Sequence, residues 1–411
     1  MPHAAARAKT ERRKNRHLPP GAGTWHMPAM STAVPFDARA RPQVRRVILR
    51  DFRSYAAIDI AFDGAMIVLC GENGAGKTNL IEALSLFAPG RGLRRAEMAD
   101  CARIGGPGGF AASVTIEETP GAERQLGLGL EAGARQYRIE RAPVASARAF
   151  AEYVRIVWLT PSMDGLFLGP AGDRRRFLDR LVLAIDPGHG ARVAQFERAL
   201  RGRNKLLEEG ARNAQWLDAI EHEAAQIAVA IAAARVECVT RLKALVAQER
   251  DDESPFPWAD LALAGDVESL VVEAPALAAE ERYRAMLREG RARDAAAGRT
   301  LIGPHAADLH VRHGPKQAPA GQASTGEQKA LLVGIVLAHA RLVAEMSGIA
   351  PWALIDEVAA HFDPRRRRAL YGALERIGGQ VFLTGADPAA FADLRGRATM
   401  LEVTPARVTA L

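Results

Sequence analysis

Residues 71 to 78 read Gly71-Glu72-Asn73-Gly74-Ala75-Gly76-Lys77-Thr78, a G-x-x-x-x-G-K-T phosphate loop, and no other segment constrains the chain so tightly. The apolar run Met66-Ile67-Val68-Leu69-Cys70 precedes it with the length of a buried strand, and Leu80, Ile81, Leu84 and Phe87 follow at helical spacing. Strand, glycine turn and helix together aim successive backbone N–H groups and a positive helix end at phosphates. Lys77 is expected to reach the β- and γ-phosphates of a nucleoside triphosphate, and the Thr78 hydroxyl to hold Mg²⁺.

The chain has 411 residues, enough for two domains or one large domain with an insertion. No stretch approaches the uninterrupted apolar length of a membrane span, and the N-terminus lacks a signal-peptide core, so no membrane role and a cytoplasmic location are expected. Cys70, Cys101 and Cys238 are widely separated and suggest neither disulfides nor a zinc site. The formal net charge is +7, but residues 1–43 carry eight Lys or Arg against Glu11 and Asp37. The body is thus almost neutral, and any DNA-binding face must come from local patches. Residues 1–43 read as a disordered basic N-terminal extension. A phosphate-touching arm, a transit peptide, or an upstream start ahead of Met27 or Met30 would each produce such a stretch.

From Val44 onward, strand-like runs at Val47-Ile48-Leu49 and Ile58 to Phe62 lead into the loop strand, and more follow at 113–117, 125–130, 136–141 and 153–159. This is a mixed α/β lobe over 44–165. A helical subdomain is expected over 166–300. Within it, Leu217, Ile220, Ala224, Ile227, Ile231, Ala234, Cys238, Leu242 and Leu245 place apolar groups on one face of a helix from 213 to 249. With helices around 192–209 and 278–297 it would form a short arm or an ordinary insertion bundle. The nucleotide lobe resumes over 301–411, with a strand at 308–313, a helix from Gly326 to about Met346, and Trp352-Ala353-Leu354-Ile355-Asp356-Glu357.

An apolar strand ending in Asp is the Walker B pattern, which puts Asp356 beside Thr78 at Mg²⁺. Glu357 is the residue type that orients or deprotonates a water attacking the γ-phosphate. Ahead of it, Ala323-Ser324-Thr325-Gly326-Glu327-Gln328 opens a helix with a small hydroxyl and a glycine, suited either to gripping an anion or to a capping box between Ser324 and Glu327.

The phosphate loop running on through Asn79, Pro89-Gly90-Arg91-Gly92-Leu93-Arg94, Arg174-Arg175-Arg176-Phe177-Leu178-Asp179, Gly303-Pro304-His305, the Ser324–Lys329 segment and Asp356 to Asp363 together resemble the RecF family, among ABC and SMC-like ATPases. The similarity spans almost everything from Val44 to the C-terminus. It implies an α/β fold: an ABC-type P-loop ATPase head with an inserted α-helical subdomain and no long coiled coil. It implies ATP and Mg²⁺ as cofactors, bound through Gly71, Glu72, Asn73, Gly74, Ala75, Gly76, Lys77, Thr78 and Asn79. Ser324, Gly326 and Glu327 of a second subunit would close over the γ-phosphate, with Asp363 at the dimer seam. ATP would thus hold a homodimeric DNA clamp shut on duplex, gapped or junction DNA. RecR and RecO, acting on RecA, are the partners implied, in recombinational repair, replication restart and the SOS response. The histidine expected after the strand Val381-Phe382-Leu383-Thr384 is absent, and 159–164 contains no glutamine, so slow, weak DNA-dependent ATP hydrolysis is expected.

Two other readings compete. A transporter's ATPase subunit would need a coupling groove, and an SMC-like tether a far longer insert. Arg91, Arg94 and Arg95 are candidate DNA-phosphate contacts. Arg365 to Arg368 read as a solvated helix face in preference to a DNA contact, behind an Asp363-Pro364 cap, and Arg174 to Arg176 as partners for acids or supports for the arm. Strand alternation puts His310 and His313 on opposite faces, against a shared metal. Sparse aromatics argue against a stacking platform for single strands.

Overall fold

The computed structural model describes residues 40–210, 214–248, 250, 253–358, 362–405 and 407–411. Most of the expected basic extension, 1–39, therefore lies outside the described residues, as do 359–361 of the segment after Glu357.

Two sheets form the head. The first is antiparallel, in the order β2 (Tyr55–Ala61), β1 (Gln43–Phe52), β4 (Phe110–Thr119), β5 (Ala122–Glu131), β6 (Ala134–Ile139) and β7 (Ala142–Pro143). The second runs β15 (Arg407–Ala410), β14 (Thr399–Thr404), β3 (Met66–Cys70), β13 (Val381–Gly385), β12 (Trp352–Ile355) and β8 (Ile156–Leu159). Its strands are parallel except at the β14–β15 edge. Their near-continuous apolar sequences follow from burial on both faces: all five residues of β3 and all four of β8 and β12 are buried.

One face of the parallel sheet packs with the antiparallel sheet and α1 (Lys77–Ser85) into a core that includes Ile67, Leu69, Leu80, Ile81 and Leu354. The other face packs on α2 (Ala171–Ile185), α8 (Thr325–Ser347) and α9 (Pro364–Ile377) through Val68, Leu178, Leu331, Ile335 and Leu374. By length and mean hydropathy α8 could cross a bilayer, although polar residues interrupt its apolar run. Its most apolar window is 67% buried within the head, where it serves as a core helix.

The insert contains α3 (His189–Glu208), α4 (Ala214–Gln248), α5 (Asp266–Glu273), α6 (Ala276–Glu289) and α7 (Arg291–Ala297). One helix belongs to both bodies. The early turns of α4 build the insert core with Ala224, Ala228, Ile231 and Ala232, while Cys238, Val239, Leu242 and Leu245 join the head core. Small alanines on the first stretch let α3 and α6 approach closely. Insert and head are also tied by a third sheet: β9 (Ala259–Ala264), within the stretch read as helical, pairs with β10 (Asp308–His313), which also pairs with β11 (Ala318–Pro319).

Candidate nucleotide-binding site

The parallel strands β3, β12 and β13 end at one edge, and the site is assembled there. After β3 the chain turns through Gly71 (φ 156°), Gly74 (φ 85°) and Gly76 (φ 112°) before entering α1 at Lys77. Two of these glycines are required by their neighbours. A Cβ at Gly71 would lie 2.1 Å from Val403 O, and one at Gly76 would lie 2.6 Å from the Tyr55 hydroxyl, which donates to Gly76 O at 3.0 Å. Nothing lies within 4 Å of a Cβ built at Gly74, at the open side of the loop.

Lys77 is buried, and its Nζ donates to Gly71 O at 2.7 Å and Glu72 O at 2.9 Å. The same nitrogen lies 3.7 Å from Glu357 Oε1. Thr78 Oγ1 donates to both carboxylate oxygens of Asp356, at 3.0 and 3.1 Å. Residues 278 positions apart are thereby joined. Burial raises the Asp356 pKa, and the Glu357 charge pushes the same way, against hydrogen bonds from Thr384 and Thr78. A hydroxyl and a carboxylate in contact form a hard-oxygen pair of the kind that suits Mg²⁺. Thr78 and Asp356 would hold that ion; when bound, it neutralises phosphate charge.

In the sequence Thr384, with Gly385 and Asp387, stands where a histidine is expected. Thr384, at the end of β13, donates to Asp356 Oδ1 at 2.7 Å and accepts the Glu357 N–H at 3.0 Å. The apolar run of β13 placed this residue at the sheet's edge, but only the fold shows its two partners. Glu82, buried on α1, was missed too: it accepts from Arg53 at 2.6 Å and from Arg94 at 2.7 Å. Arg94 also donates to Asn79 Oδ1 at 2.8 Å, and Asn79 Nδ2 donates to Ser54 Oγ at 2.8 Å. Arg91 pairs with Glu97 at 2.8 Å.

The signature candidates stand apart from this assembly. Ser324 caps α8 in a reciprocal capping box: Glu327 N donates to Ser324 Oγ at 3.4 Å, and Ser324 N donates to Glu327 Oε2 at 3.0 Å. Lys316 lies 2.6 Å from Glu327, and its hydrogen bond, together with the Ser324 N–H, lowers the Glu327 pKa to about 2. The nearest atom to a Cβ built at Gly326 is Arg366 Nη1, at 3.6 Å. Ser324 and Glu327 make no hydrogen bond with residues 71–79, Asp356 or Glu357. Asp363 caps α9 by accepting from Arg366 N at 3.0 Å. Arg174 pairs with Asp308 at 2.8 Å and Arg176 with Asp173, both acids, whereas Arg175 donates to the backbone at Ala307 O, 2.7 Å away. His310 is exposed and His313 buried on opposite faces of β10, and no cluster fit to hold a metal through three or more His, Cys, Asp or Glu occurs among the described residues.

Residues 43–407 match the family model described as the RecF/RecN/SMC N terminal domain. A DNA replication and repair protein RecF from Mesorhizobium japonicum is 54% identical over 368 residues, covering 89% of this chain and 97% of the relative. The protein of that name from Brucella abortus is 51% identical over 374 residues, covering 90% and 97%. Among solved structures, the recombination mediator protein RecF with ATPrS superimposes with a TM-score of 0.79 at 18% identity, covering 91% of this chain and 99% of that one. An SMC head bound to the C-terminal winged-helix domain of ScpA gives 0.52 at 14% identity, covering 90% and 97%. With an ABC-type α/β head, a phosphate loop joined to its Walker B carboxylate, and relatives at half identity over nearly their whole length, this chain belongs to the RecF family.

Proposed function

We propose that this chain is a cytoplasmic ATP-dependent DNA-binding protein of recombinational repair and replication restart, and that two copies close on DNA with ATP between them. One observation carries the reading: Lys77, Thr78, Asp356 and Glu357 converge on one edge of the sheet, while the helix start at Ser324–Glu327 makes no bond to them. Half of an ABC-type site is thus built within the chain, and a second copy is the natural source of the other half. Ser324 and Gly326 would meet the γ-phosphate in trans, with Asp363 at the seam. Exposed N–H groups at a capped helix start favour an anion there.

In this reading Gly71 to Asn79 cradle the triphosphate, Lys77 neutralises its β- and γ-oxygens, and Glu357 orients the attacking water and receives its proton. Losing the γ-phosphate removes the charge that bridges the two copies, so hydrolysis opens the clamp. Turnover is slow because a threonine, Thr384, stands where a switch histidine is expected, and because Thr160 and Ser162 hydrogen-bond each other at 2.8 Å in the loop that lacks a glutamine. The names of the relatives, and the RecFOR pathway named for the solved RecF, support DNA, RecO and RecR as partners; action on RecA is part of the proposal. ATP hydrolysis measured with and without gapped duplex tests the proposal. A slow basal rate raised by DNA is expected; a rate indifferent to DNA, or one that survives Lys77→Met, contradicts it.

A further inference from the structure

The loop after α1 carries Arg91, Arg94 and Arg95, and their surroundings differ. Arg94 is committed to Glu82 and Asn79, and Arg91 to Glu97. Arg95, exposed and at φ 58° in a turn closed by its N–H to Gly92 O at 3.3 Å, has no acid or hydrogen-bond acceptor for its side chain among the described residues. Partial burial, and then the charges of Arg176 and Arg91, hold its pKa below the ordinary arginine value. The loop packs on α2, since a Cβ at Gly90 would lie 3.2 Å from Leu183 Cδ2.

Arg180 of α2 is the companion. Its guanidinium lies 5.2 Å from the Trp158 ring centroid and 4.9 Å from that of Phe177, and Nη1 points at Met163 Sδ, 3.1 Å away. No acid pairs with it among the described residues. Burial, and then the charge of Arg95, bring its pKa down to about 9. Two aromatic rings thus hold a desolvated cation within electrostatic reach of a second cation. That arrangement is costly without an anion and favourable with one, because desolvated charges are tolerated chiefly when paired. The planar guanidinium fork matches phosphate oxygens.

We propose that Arg95 and Arg180, with Arg91 and Arg176 alongside, form a DNA-backbone phosphate site on the seam between the loop after α1 and α2. The proposal rests on the DNA-binding reading and deepens it by giving that reading a place. An extended polyanion fits better than a free nucleotide. The side chains of Arg91 and Arg176 are 64% and 48% exposed and Arg95 is exposed with them, which makes a surface strip, and Trp158, the nearby ring, is buried and presents no face to a base. The strip also shares its supports with the nucleotide machinery. Trp158 pairs across the sheet with Leu354, two residues before Asp356, and Arg94 is bonded to Asn79, next to Thr78.

The test titrates the full chain, Arg95→Gln and Arg180→Met with a short fluorescent DNA duplex over a series of KCl concentrations, with ATP present, and records thermal midpoints without DNA. Each variant is expected to bind several-fold more weakly and to lower the slope of log K against log salt by about 0.9, the signature of one lost phosphate contact. Arg180→Met should melt no lower than the parent, because it removes an unpaired desolvated charge; a packing residue would lower the midpoint. If Arg180→Met fails to fold, the exposed Arg95→Gln decides. An unchanged salt slope in Arg95→Gln, with the parent chain binding duplex, overturns this site and leaves the DNA-binding reading intact. A parent chain without duplex affinity, with or without ATP, overturns both. Inorganic phosphate is the remaining arm. A phosphate-induced rise in midpoint that persists in Lys77→Met and is lost in Arg95→Gln, with duplex binding untouched, would identify a free-phosphate site and overturn the DNA assignment.

Discussion

Thr384 and Asp356 are joined by a 2.7 Å hydrogen bond from hydroxyl to carboxylate, and the same hydroxyl accepts the Glu357 N–H at 3.0 Å. One side chain of β13 thus fixes both acids at the end of β12. Glu357 needs such support, since its φ of 53° is left-handed and costs a non-glycine residue about 1–2 kcal/mol.

Thr384→Val keeps the shape and removes both bonds, so Glu357 loses its anchor. ATP hydrolysis is expected to fall by about tenfold, equivalent to about 1.4 kcal/mol of transition-state stabilisation, with nucleotide affinity little changed. Thr384→Ser, which keeps the hydroxyl, should recover most of the rate. Steady-state kinetics and titration with a fluorescent nucleotide separate the two effects. Equal losses in the valine and serine variants would remove the hydroxyl from the explanation.

Arg203 is fully buried in the insert, where it donates to Glu221 at 2.9 Å and to Asp294, Thr300 Oγ1 and Leu287 O, each at 2.7 Å. Arg203→Met takes the close guanidinium from the buried Asp294 carboxylate, while Glu221 keeps its pair with Arg291 at 2.5 Å, and is expected to cost about 3 kcal/mol. Urea unfolding monitored by circular dichroism measures this; a loss below 1 kcal/mol, roughly the value of an exposed pair, would contradict it.

His339 of α8 is buried with Nε2 2.9 Å from Leu181 O, and burial brings its pKa down to about 4, with the nearby Arg180 charge pushing the same way. Unfolded, the ring titrates near the ordinary value of 6.5. Between those values the unfolded chain binds more protons, so the stabilisation is complete above pH 6.5 and is lost as pH falls through about 4. Relative to His339→Gln, the parent should lose roughly 2 kcal/mol more stability between pH 7 and pH 5. Urea midpoints at the two pH values test the difference; parallel declines would rule out this histidine as the cause.

Much of this was legible in the sequence because the governing signals are local. Gly71 to Thr78 specify a turn by residue type, the apolar spacing from Leu217 to Leu245 specifies α4 (Ala214–Gln248), and Ser324 with Glu327 specifies a cap. Motif chemistry places Thr78 and Asp356 side by side at one ion, and the fold brings them into direct hydrogen bonding. Less local features escaped. The alternation of β9 (Ala259–Ala264) was lost inside a stretch dominated by helical periodicity, and its partner in β10 lies more than forty residues on. The anchoring by Thr384 and the juxtaposition of Arg95 with Arg180 exist only once separate elements pack, so no spacing along the chain encodes them.

We propose above all that a second copy completes the nucleotide site. Glu357→Gln should bind ATP and hydrolyse it too slowly to separate the pair, so light scattering at saturating ATP and Mg²⁺ is expected to give the mass of a dimer, and that of a monomer when Ser324→Arg is added. A monomeric mass for Glu357→Gln with ATP bound would contradict the composite site.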